Sequence, residues 1–251
     1  MNNLTNSLGQ HIQYFFKEDR KHIEELESWK ETFKDEFEWI RMSESAWKPG
    51  FSYDNPKLKN QHSFANEQQA NNGGKNVGTM DAKLCLFTKN EHVTAPAWDT
   101  KKGFINKDFE YTSDIIQTAD AFRQKEGMFM VKLRTEGDIH HAVWLDSGKK
   151  LPMISLFHFN GKRITMGNYK EKGFDGTTLR GISPTKYYIY TLRWTERELV
   201  WYVNNLEVYR TTYNVPKEEL FLAISSFIDE QQKAMEGTLN VAWMRVYKST
   251  K

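Results

Sequence analysis

From residue 82 onward the chain is written in short runs of alternating apolar and polar positions. Residues 82–88, 127–134, 141–145, 153–159, 187–194, 199–203, 206–211, 221–225 and 240–247 each read as a β-strand. They are rich in Val, Ile, Tyr, Phe and Trp, the branched and flat side chains that suit a pleated surface. Asn204-Asn205, between two of these runs, marks a tight hairpin, because asparagine tolerates the positive φ such a turn demands. Residues 57–78 are polar and rich in Asn and Gln, and predict a long loop or a set of short edge strands. Many strands and little helix predict an all-β sandwich of about 210 residues in one domain.

The first forty residues follow another rhythm. Ile12, Phe15, Phe16, Ile23, Leu26, Phe33 and Phe37 recur at spacings near three and four amid Glu and Lys. That spacing predicts an amphipathic α-helix over about residues 10–29. The expected layout is a helical extension over residues 1–32 and a sandwich domain over residues 33–251. The helix either packs on the sandwich or connects it to a neighbouring domain or partner. A self-associating coiled coil is disfavoured, because Asp19 and Lys30 interrupt the apolar seam.

Charge and composition narrow the classes. The chain has 251 residues with 35 Lys and Arg against 33 Asp and Glu, a net charge of +2. The balance is uneven along the chain, −4 over the first forty residues and +6 over the rest. Neither value has the basic excess of a dedicated nucleic-acid binder. No stretch approaches the roughly 18–20 apolar residues of a membrane span. Residues 1–10 are polar and lack the apolar core of a signal peptide. Cys85 is the single cysteine, which excludes an intramolecular disulfide framework and a cysteine-only zinc site. Aromatic residues make up 14% of the chain, with eight Trp. They suit either a core of broad flat faces or a surface that stacks on flat ligands.

Several runs, in order, resemble glycoside hydrolase family 16. Tyr111-Thr-Ser-Asp-Ile-Ile-Gln-Thr118 followed by Gly127-Met-Phe-Met-Val-Lys-Leu-Arg134 is similar to the family's "YTSGRI-T … YGYFEARIKLP" stretch. His140-His-Ala-Val-Trp-Leu145 resembles "WPAFWL", and Thr191-Leu-Arg-Trp194 with Leu199-Val-Trp-Tyr-Val-Asn-Asn205 resembles "GLEWTPDRIVWYVDG". Val241-Ala-Trp-Met-Arg-Val-Tyr247 is similar to the closing "VDYVRVY", and Asp35-Glu-Phe37 with Trp47 and Asn66-Glu-Gln68 are weaker echoes. The resemblance spans roughly residues 33–248. It implies a concanavalin A-like jelly roll of two curved antiparallel sheets with a glycan cleft on the concave face. It also implies a secreted, periplasmic or cell-surface setting, although this chain shows no export signal.

The family's chemistry sits on one strand, written E-x-D-x-E or, with a bulge, E-x-D-x-x-E. Alternate strand residues share a face, and a bulge restores the alternation when an extra residue intervenes. A retaining glycosidase needs one carboxylate as nucleophile and a second as acid, then base. Pro152-Met-Ile-Ser-Leu-Phe-His-Phe-Asn-Gly161 aligns with that strand, placing Met153, Ser155 and His158 where the three carboxylates stand. The unbulged register substitutes Phe157 for His158. On the resemblance the hydrolytic mechanism is absent, Ala242 puts a structural calcium in doubt, and no cofactor is implied. Trp144 matches a tryptophan that stacks on sugar, and Trp98, expected in a loop, can line one end of the cleft. Glu67 is the one carboxylate in a matched polar segment beside the cleft. His140, His141 and His158 do not make a metal site, because neighbouring strand residues face opposite sides. Three readings stay open: a domain binding a polysaccharide or oligosaccharide through Trp144, His158, Ser155, Met153, His140, Trp98 and Glu67; a structural or protein-interaction domain whose cleft has closed; and an enzyme using displaced groups such as Glu67 or Asp146.

Overall fold

In the computed structural model, which describes residues 28–55, 62–171 and 173–250, the alternating runs become two stacked sheets. The strands in chain order are β1 (Trp29–Asp35), β2 (Lys48–Pro49), β3 (Ser63–Phe64), β4 (Gln69–Asn71), β5 (Val77–Thr79) and β6 (Leu84–Asp99). Next come β7 (Gly103–Ser113), β8 (Ile115–Gln117), β9 (Gly127–Glu136), β10 (His140–Asp146), β11 (Met153–Asn160) and β12 (Ile164–Lys170). The last are β13 (Gly173–Thr178), β14 (Tyr188–Trp194), β15 (Leu199–Val203), β16 (Leu206–Thr211), β17 (Phe221–Phe227) and β18 (Gly237–Ser249). Among the described residues there is no α-helix. One sheet runs β16-β15-β14-β9-β18-β6-β7-β4, with β1 on β18 and β3 and β5 on β6. The other runs β13-β12-β11-β10-β17-β8-β2 and carries the site.

The core lies between the sheets and follows from the period-two pattern. Phe129, Val131 and Leu133 of β9, Tyr190 and Leu192 of β14, Leu199 and Trp201 of β15, and Val241 and Met244 of β18 point inward from one sheet. Val143 and Leu145 of β10, Ile154 and Phe157 of β11, and Leu222 and Ile224 of β17 meet them from the other. Trp47, Trp194, Trp201, Phe37, Phe129, Phe157 and Phe159 supply the broad aromatic faces of this interior, each fully buried ring contributing of order 2–3 kcal/mol by burial. Asn204 and Asn205 both take positive φ, 43° and 68°, and close the β15–β16 hairpin as their chemistry requires.

Two sequence expectations change. The helix over residues 10–29 falls almost wholly outside the described residues, but its far end is corrected. Trp29 already opens β1, which pairs antiparallel with β18, so the sandwich begins before residue 33. Phe33 and Phe37 are four apart, as on a helix face, yet they pack on Trp47 from the strand and the turn after it. The cause is Asp35: its Oδ2 accepts from the indoles of Trp47 (2.7 Å) and Trp39 (3.2 Å), and its Oδ1 accepts from the Phe37 amide (2.7 Å). The second correction concerns residues 89–113. The strand expected over 82–88 continues to Asp99 and returns as β7, so Trp98 stands in a strand, paired with Phe104, and not in a loop.

Candidate functional site

The site is set by an irregularity in β11. Its pairing with β10 matches Val143 with Phe157 and then Trp144 with Ser155, so one extra residue intervenes, and its pairing with β12 breaks between Ser155 and His158. Such a bulge lets two successive residues, Leu156 and Phe157, both face the core. Met153, Ser155 and His158 consequently share the opposite face. The unbulged alternative is excluded, since Phe157 is buried against Tyr190 with ring centroids 4.8 Å apart. From the other sheet the indole Nε1 of Trp201 donates to the Ser155 carbonyl at 2.9 Å and holds the bulged strand in place.

Over these residues lies an open pocket of about 150 Å³, lined by Ala142, Trp144, Met153, Ser155, His158, Tyr169, Ser225 and Phe227. Its lining contains no carboxylate. Beside it, sharing Met153, is a larger cavity of about 560 Å³ with Tyr53, Phe64, Trp98, Asp146 and Lys150 among its walls. The Ser155 side chain is buried, and its Oγ has no hydrogen-bond partner. A buried hydroxyl left unpaired costs stability.

The electrostatics are those of a neutral floor. His140 Nδ1 and His158 Nε2 are 2.8 Å apart, so one donates and the other accepts, and His140 stacks on Phe227 at 4.3 Å. Burial, followed by the adjacent His140, pushes the His158 imidazole down to about 4, and burial also lowers His140. Both rings are thus uncharged at neutral pH. His141 faces the other way: Nε2 donates to the Glu136 carbonyl at 3.2 Å, and Nδ1 accepts from the Ser226 hydroxyl at 2.7 Å. Asp146 is pushed upward by burial against the pull of its hydrogen bonds, taking one from the Trp144 indole at 2.9 Å and one from the Gly148 amide at 2.8 Å. Among the described residues no three His, Cys, Asp or Glu side chains come together as a metal set.

The sequence-predicted residues separate. Trp144, Met153, Ser155 and His158 line the smaller pocket, and Trp98 joins them through the larger cavity. Trp144 is half-buried, with one part against Phe221 and Ala223. His140 does not line the pocket but orients His158 from beside it. Glu67 lines neither cavity. It pairs with Asp229, accepts from Gln69 Nε2 at 2.7 Å, and is raised to about 7 chiefly by burial. Sequence reasoning missed Phe227, Ser225 and Tyr169. The alternation of residues 221–227 on β17 carries the signal for Phe227 and Ser225, because Leu222 and Ile224 point to the core. Tyr53 and Phe64 come from irregular or two-residue segments with no period to read.

No protein-family model matches the sequence, and no curated protein does. Solved structures match its shape over most of its length. The laminarinase catalytic domain from Thermotoga maritima is 16% identical with a TM-score of 0.71, covering 89% of this chain and 100% of that one. A non-specific endo-beta-1,3(4)-glucanase from family GH16 is 18% identical with a TM-score of 0.70, covering 88% and 92%. The endo-beta-1,3-glucanase from Pyrococcus furiosus is 15% identical with a TM-score of 0.67, covering 88% and 95%. No helix among the described residues is long and apolar enough to cross a membrane. At these identities the likeness establishes the architecture: the chain has the concanavalin A-like β-sandwich fold of family-16 glucanases.

Proposed function

We propose that this chain is a non-catalytic carbohydrate-binding domain that holds a polysaccharide or oligosaccharide in the groove over β10 and β11. One observation carries the reading. The bulged strand presents Met153, Ser155 and His158 to an open pocket walled by Trp144, where the family-16 pattern presents three carboxylates. A thioether offers neither negative charge nor useful nucleophilicity toward an oxocarbenium-like centre, and a neutral imidazole without a partner carboxylate cannot trap the sugar. The same surface is well suited to binding. Trp144 and Tyr169 offer flat apolar faces to a pyranose ring, and the unpaired Ser155 hydroxyl offers a hydrogen bond.

The closed-cleft reading expects Met153 and Phe157 both packed away, and only Phe157 is. Displaced catalysis has weaker support, because both oxygens of Asp146 are already held and Glu67 lines neither cavity. Affinity electrophoresis in gels containing laminarin, mixed-linkage glucan or agar tests the proposal. Retardation by one of them without release of reducing ends is the expected result. Retardation by none sinks it.

A further inference from the structure

The sheet face that carries the pocket continues past it in a way the sequence patterns did not single out. Trp144, Ser155, Gly167 and Gly176 are matched partners on four successive strands, so their side-chain directions fall in one row across the sheet. Glycine weakens a strand interior and commonly marks a close approach by another group. Here two groups approach, the backbone of the neighbouring strand and the ring of Phe174. A Cβ on Gly167 would sit 2.5 Å from the Asp175 carbonyl oxygen and 2.7 Å from Phe174 Cζ, and one on Gly176 would meet the Met166 carbonyl oxygen and sit 2.5 Å from Phe174 Cε1. The two glycines form a cradle in which the phenyl ring lies on the strand backbone. Its outer side stays open, and the residue is 39% exposed. The ring touches Tyr169 with centroids 4.9 Å apart, and Tyr169 lines the pocket that holds the buried, unpartnered Ser155 hydroxyl.

We infer that Phe174 is a second stacking platform, extending the groove from Trp144 toward the β13 edge for an uncharged glycan chain. The inference rests on the binding reading above and goes beyond it in naming a subsite and a ligand class. Strands lie about 4.8 Å apart, so Phe174 over β12 and β13 stands roughly 10–14 Å from Trp144 on β10. Only an oligosaccharide crossing the strands can touch both. The class follows from charge. The pocket floor is neutral, and the nearby ions are engaged elsewhere. Asp175 accepts from the hydroxyls of Tyr209 (2.7 Å) and Thr211 (3.0 Å), and Lys170 lies 3.8 Å from Asp175 and over the Tyr213 ring. Among the described residues, none at the platform is placed to recognise a carboxylate or sulfate.

The test is affinity electrophoresis of wild type, Phe174→Ala and Phe174→Trp in gels of laminarin, mixed-linkage glucan, agarose and the uronate polymer alginate, with thermal unfolding recorded for each. Wild type should be retarded by an uncharged polymer. Phe174→Ala should weaken that retardation about fivefold, the worth of one aromatic face. Phe174→Trp, which keeps a flat face, should restore it and guards against misfolding of the alanine variant. Equal retardation of wild type and Phe174→Ala overturns the subsite while leaving the binding reading intact. Retardation by alginate alone overturns the ligand class. No retardation of wild type in any gel overturns both the subsite and the reading beneath it.

Discussion

Trp201 and Trp194 allow the anchoring of the bulged strand to be isolated. Both are buried in the same core, at 0% and 1% exposure. The Trp201 indole donates to the Ser155 carbonyl at 2.9 Å, whereas Trp194 Nε1 has no partner. Replacing either by phenylalanine removes similar ring volume, so the packing losses nearly cancel in the comparison. What remains is the donor. Trp201→Phe leaves a buried carbonyl short of a bond at a point where the β-ladder is already irregular, while Trp194→Phe removes a desolvated N–H that gains nothing. An unsatisfied buried group costs about 1–3 kcal/mol, so Trp201→Phe should be less stable than Trp194→Phe by about that much. For a chain of this size each kcal/mol moves Tm by about 2–4 °C, giving a gap of roughly 2–12 °C in thermal unfolding. Equal melting temperatures, or a lower one for Trp194→Phe, would refute the claim that this bond holds the site's strand.

Three further outcomes follow from the site. Trp144→Ala should weaken polysaccharide retardation at least fivefold, the loss expected for one stacking face, with the circular dichroism of the sheets unchanged. The imidazole of His158 stays neutral down to about pH 4, whereas an unfolded histidine protonates near 6.5. The unfolded chain binds more protons in that interval, so stability falls as pH drops from about 6.5 to 4, and His158→Gln should show a shallower fall. Glu67 has the opposite sign: held protonated to about 7 against an ordinary 4.5, it contributes stability at low pH that is lost as pH rises toward 7. Glu67→Gln should therefore gain in Tm over wild type from pH 5 to pH 8, and a constant difference would contradict the assignment.

The sheets were legible because period-two alternation and side-chain burial are the same fact seen twice. The bulge entered only through the resemblance, with the unbulged register left open, and the burial of both Leu156 and Phe157 decides between them. Trp29, Phe33 and Phe37 misled because helical spacing over so short a stretch is weaker than the tertiary contacts that Asp35 organises. The β6–β7 hairpin was hidden by Pro96 and by the charged run Lys89-Asn-Glu-His92, which break the apolar alternation, although main-chain pairing resumes at Val93 after an irregularity at Glu91 and His92. Tyr53 and Phe64 reach the larger cavity from irregular or two-residue segments, and Phe174 packs closely on Gly167 and Gly176, and none of this leaves a period in the sequence.

Whether the groove binds glycan without cleaving it can be read from titration of the folded chain with laminarin, mixed-linkage glucan and agar oligosaccharides, monitored by tryptophan fluorescence alongside a reducing-end assay. Saturable quenching by at least one of them is expected, with its loss in Trp144→Ala and no new reducing ends. Reducing ends that appear with wild type and vanish in His158→Gln or Trp144→Ala would contradict non-catalytic binding, as would the absence of any quenching.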